Sequence, residues 1–99
     1  MILKEIAHSR TGDKGDKVNI SIIPYDEKDF KLIGEKLTEE RVKNFFNEIC
    51  KGEVKRYELA GIKAYNYVLD KALNGGVSIN YSVDRHGKSL GFALLEIDI

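Results

Sequence analysis

Ninety-nine residues, 42% of them hydrophobic, are enough for one domain with a modest core and no more. Sixteen basic and sixteen acidic side chains give a formal net charge of zero, which removes the global positive field expected of a nucleic-acid binder. One cysteine excludes an internal disulfide, and with no long apolar run neither a signal peptide nor a spanning helix is expected, so a cytoplasmic chain with no nucleic-acid or membrane partner is the expectation.

Along the chain, Ile2 to Ser9 is short and apolar-rich and reads as a strand. A glycine-bearing polar stretch follows, from Arg10 through Gly12-Asp13-Lys14-Gly15-Asp16, and reads as an ordered loop. Val18, Ile20 and Ile22 alternate with Asn19 and Ser21, a second strand that Pro24 ends. Tyr25 to Lys36 is charged, with Phe30, Ile33 and Leu37 at helical spacing. Thr38 suits an N-cap, Glu39 and Glu40 suit the first turn, and Val42, Phe45, Phe46, Ile49 and Cys50 make a helical stripe ending near Gly52.

Glu53 to Leu59 reads as a third strand. Ile62, Tyr65, Leu69, Ala72 and Leu73 fall at helical spacing, stopped by Asn74-Gly75-Gly76. Val77 to Val83 alternates as a strand, Asp84 to Lys88 as a hairpin loop, and Ser89 to Ile99 as the last strand. The order β-β-α-α-β-α-β-β predicts a two-layer α+β sandwich, a mostly antiparallel sheet with helices on one face. Ser78, Asn80 and Ser82 would then face the uncovered side. Apolar residues in both phases of the last strand (Leu90, Phe92 and Leu94; Ala93, Leu95 and Ile97) suggest burial on both faces, and with it a homo-oligomer.

The polar stretch has two readings. In one, Asp13 and Asp16 bond nearby backbone N–H groups and the segment is a tight connection. In the other, backbone N–H groups with Arg10, Lys14 and Lys17 hold an anion or a partner. The spacing is not that of a P-loop. His8 beside Ser9 is a poor catalytic pair, because neighbours on a strand point to opposite faces and no nucleophile-elbow glycines flank Ser9. His8 would share a face with Arg10. His8, His86, Asp13 and Asp16 lack metal-ligand spacing, so no metal is expected. An iron–sulfur cluster needs several cysteines, and no other cofactor motif is present, so no cofactor is expected. Asn66 would sit on the inner stripe of its helix, either bonding loop backbone or lining a pocket near the glycine segment.

Ala7-His8-Ser9-Arg10-Thr11-Gly12-Asp13-Lys14-Gly15 followed by Asn19-Ile20 resembles the start of the small C-terminal ferredoxin-like domain of the acyclic terpene utilisation protein family. Leu37-Thr38-Glu39-Glu40-Arg41-Val42-Lys43, Arg56 to Leu59, Asn66-Tyr67-Val68-Leu69, Ala72 to Gly76 and Asp84 to Leu90 extend the resemblance nearly end to end. Asn74 replaces a usual glycine and Ala60 a usual proline. The resemblance implies a single ferredoxin-like domain over residues 1–99. It further implies a free-standing small accessory subunit docking on a larger chain that carries the family's N-terminal domain, in terpenoid or branched acyl-group catabolism. The alternative is a small-molecule domain, binding or catalytic, for an anion or acyl-CoA at the His8–Asn19 segment. The ligand- or partner-binding candidates are His8, Arg10, Thr11, Asp13, Lys14, Asn19 and Asn66.

Overall fold

The alternation of Val18, Ile20 and Ile22 with polar neighbours becomes strand structure in the computed structural model, which describes residues 1–14, 17–47, 50, 52–70 and 88–99, with backbone alone at 13, 14, 88 and 89. Four strands form one antiparallel sheet: β1 (Ala7–Lys14), β2 (Lys17–Pro24), β3 (Val54–Leu59) and β4 (Ala64–Leu69), in the order β1-β2-β4-β3. Among the described residues the helices are α1 (Asp29–Lys36), α2 (Glu39–Phe45) and α3 (Lys88–Leu94), and a short 3-10 turn covers Leu3–Glu5. Val18, Ile20, Ile22, Tyr65, Tyr67 and Leu69 share one sheet face and are buried against Ile33, Leu37, Val42, Phe46, Leu90 and Leu94. Each such aliphatic side chain contributes about 1.5–3 kcal/mol on burial. The expected α+β class, with helices on one face of an antiparallel sheet, is what the chain adopts.

α1 lacks a glycine C-cap, and side chains satisfy its terminal carbonyls instead. Arg56 Nη1 donates to the carbonyls of Gly34 (2.7 Å) and Leu37 (3.2 Å), and Tyr67 Oη donates to Leu37 at 2.6 Å. Arg41 Nη1 reaches the carbonyl of Lys36 at 3.3 Å, and its Nη2 reaches that of Asp98 at 2.6 Å. The Arg56 guanidinium also lies over the Tyr65 ring, 4.8 Å from its centroid, while Tyr65 Oη donates to Phe30 O at 3.0 Å. Positive charge at a helix C-terminus interacts favourably with the negative end of the macrodipole. As expected, Thr38 caps α2, its hydroxyl accepting from Arg41 N at 3.2 Å.

Several elements differ from the sequence reading. Ile2 to Ser9 is not one strand: the 3-10 turn occupies Leu3–Glu5, and β1 starts at Ala7 and continues through Lys14. The expected loop from Arg10 is therefore half of a hairpin, Arg10 opposite Ser21 and Lys14 opposite Lys17. Its tip, Gly15-Asp16, lies outside the described residues. The residues expected as a helix from Ile62 supply β4. Tyr65, Tyr67 and Leu69 alternate with Asn66 and Val68, and pairing to both β2 and β3 satisfies backbone that a helix would have bonded internally. A turn at Ala60–Lys63 joins β3 to β4, with Ile62 N donating to Leu59 O and Lys63 at φ 54°. The helix expected through Cys50 ends at Phe45, and Phe45 is exposed.

Ser89 to Ile99 is not a strand but α3 and a tail. Leu90 and Leu94 are buried one helical turn apart and Ile97 is buried in the tail, so the apolar residues in both strand phases no longer argue for an oligomer. Only Asp98 bridges to Ile2, beside an ion pair of the Met1 ammonium with Asp98 at 2.7 Å. α3 approaches β1 at Gly91, where a Cβ would run into Thr11 Oγ1 and lie 3.0 Å from Ser9 Oγ. The expected strand Val77–Val83, the hairpin loop Asp84–Gly87, Asn74-Gly75-Gly76 and His86 lie outside the described residues. No helix among the described residues is long and apolar enough to cross a membrane.

Two outcomes follow from this packing. Gly91→Ala should cost about 1–3 kcal/mol in urea denaturation by overpacking, and Thr11→Ala in the same chain should recover much of that loss. Burial also holds the Tyr67 phenol above its ordinary range, and burial likewise raises Tyr65 and the Cys50 thiol. The unfolded chain therefore loses these protons first, and stability should fall as pH rises, from about 9 for the thiol and about 10 for the phenols. Tyr67→Phe should cost about 1–2 kcal/mol at pH 7 and flatten the alkaline decline.

Candidate functional site

Strand alternation sends the other side chains to the sheet face that the described helices leave bare. Arg10, Ser21, Asn66 and Tyr57 stand directly opposite one another across β1, β2, β4 and β3. The next row is Gly12, Asn19, Val68 and Lys55, and His8 stands opposite Ile23. Asn66 Nδ2 donates to Ser21 Oγ at 2.8 Å, tying two rungs of the row together. That bond uses the serine oxygen as acceptor and leaves its hydroxyl proton for another partner.

A concavity of about 300 Å³ opens on this face, lined by Arg10, Thr11, Gly12, Asn19, Ser21, Ile23 and Ile62. The Asn19 carboxamide lies across Gly12, both of its polar atoms 3.3 Å from where a Cβ would stand. The guanidinium, the amides and the serine hydroxyl are hydrogen-bond donors, and Ile23 and Ile62 supply an apolar wall. Arg10 has no hydrogen-bond or ion-pair partner among the described residues.

The sequence candidates divide accordingly. Arg10, Asn19 and Asn66 meet on the bare face, and His8 shares it. Asn66 reaches it from a strand and not from the inner stripe of a helix. His8 is half-buried, stacks on Tyr25 at 5.3 Å between centroids, and its Nδ1 is buried with no partner among the described residues. Thr11 and Ser9 turn the other way, toward Gly91 of α3, so His8 and Ser9 point to opposite faces as alternation requires. Asp13 and Lys14 are placed by backbone alone, opposite Val18 and Lys17, and their side chains lie outside the described residues. Ser21 and Tyr57 were missed. Their signal was β-pairing register, which cannot be read before β4 is recognised as a strand.

No group of three His, Cys, Asp or Glu side chains among the described residues could hold a metal. Cys50 is buried, and its thiol faces the carbonyls of Gly52 and Asp70. No curated protein and no solved structure matches the chain. A family model described as the AtuA ferredoxin-like domain matches residues 1–99. With that match spanning every element of the sheet and its helical layer, the chain belongs to the AtuA ferredoxin-like domain family.

Proposed function

We propose that this domain is a docking module, and that it joins a larger acyclic-terpene-utilisation-type chain through its bare sheet face. The observation that carries the reading is the segregation of charge. The whole chain is neutral, yet the strand positions on that face hold Arg10, Lys17 and Lys55 and no carboxylate among the described residues. Tyr57 and Leu59 are also exposed there. A partner surface that is acidic with an apolar centre complements this face, whereas a second copy of the same face would meet like charge. The family supports placing the assembly in cytoplasmic terpenoid or branched acyl-group catabolism.

The test is co-elution with a family chain carrying the larger domain from the same source. Lys55→Glu lies on the bare face and Lys31→Glu on exposed α1, so the two change net charge equally. Lys55→Glu should weaken co-elution at least tenfold at low salt, and Lys31→Glu should leave it unchanged. Equal effects from both variants, or none from either, would contradict docking through this face.

A further inference from the structure

The concavity at Arg10 is chemically two-sided, and the two sides are those of a short amphipathic ligand. On one side stand donors: the Arg10 guanidinium, the Ser21 hydroxyl and the Asn19 carboxamide. On the other stand Ile23 and Ile62, and Ile62 is 65% exposed at the β3–β4 turn. A planar guanidinium matches a carboxylate through two parallel N–H···O bonds. The Ser21 oxygen already accepts from Asn66 Nδ2, and its hydroxyl proton remains to be donated to another acceptor. No acidic side chain occupies the adjoining rows of the face among the described residues. The volume, about 300 Å³, is at the lower end of small-molecule sites.

We propose that this concavity binds a small aliphatic carboxylate, with the carboxylate on Arg10 and Ser21 and the tail on Ile23 and Ile62. Asn19, laid across Gly12, borders the carboxylate end. The site belongs to the isolated chain and does not depend on docking to a larger one. Its exposure implies weak binding, about millimolar.

Butanoate, butanol, acetate and inorganic phosphate can be titrated into the isolated chain while the side-chain amide NMR signals of Asn19 and Asn66 are followed. Butanoate should shift both signals saturably, and butanol should not. Arg10→Ala should weaken butanoate at least tenfold with unchanged melting. If that variant melts early, Arg10→Lys, which keeps the charge and loses the fork, should still bind several-fold more weakly. Ile62→Ser should weaken butanoate several-fold and leave acetate unchanged. Phosphate binding as tightly as butanoate would overturn the proposal in favour of a general anion site. Butanoate affinity unchanged in the Arg10 variants would overturn it altogether. The large-chain co-elution is a separate readout, so either idea can fail alone.

Discussion

The carbonyl of Leu37 is the point on which the two layers are joined. It ends α1, where a helix has no internal donors left, and it receives Tyr67 Oη from the middle of the sheet and Arg56 Nη1 from the edge strand. Tyr67 is fully buried, so its hydroxyl needs a partner, and the helix end needs a donor. Each satisfies the other only if α1 ends directly over β4. Arg56 extends the same constraint to Gly34 and packs on Tyr65, so the helix, β4 and β3 are held in one registration. Removing one donor would leave a buried acceptor short of partners, which costs more than the bond is worth in isolation.

Fixing the helices on that side leaves the opposite sheet face with no cover from the other described residues. Alternation then decides what appears there: Arg10, Ser21, Asn66 and Tyr57 in one row, Asn19 and Lys55 in the next. The two faces divide the work. One is aliphatic and aromatic and holds the fold. The other is polar and basic, with Tyr57, Leu59 and Ile62 as exposed apolar points. Substitutions on the bare face touch few core contacts, so its side chains can be altered at little cost in stability.

Much of the frame was legible. The alternation in β2, its stop at Pro24, the Thr38 cap and β3 all appear where local pattern places them. β4 was not, because Ile62, Tyr65 and Leu69 fit a helical period while Tyr65, Tyr67 and Leu69 fit a strand. Aromatic enrichment favoured the strand, and the deciding term is pairing to β2 and β3, which is non-local. α3 shows the reverse confusion: Leu90 and Leu94 satisfy both periods, and Ile97, in the tail beyond the helix, does not separate them. The site was half legible. Arg10 was picked by its charge, Asn19 by the family resemblance and Asn66 by its amide together with that resemblance, and Asn66 reaches the candidate concavity's face from a strand and not from a helix. Arg56 left no periodic trace, since its role depends on a helix end distant in sequence.

The central claim is that recognition belongs to the bare face while the helical layer serves the fold. Paramagnetic broadening by a neutral gadolinium chelate reads this directly, in the chain alone and in complex with the larger family chain. Alone, the Tyr57 ring and the Asn19 and Asn66 amides should broaden strongly, and the buried Tyr67 ring should not. In the complex, those three should become protected while exposed α1 signals such as Lys31 stay broadened. Protection of α1 with Tyr57 and Asn66 still accessible would contradict the account.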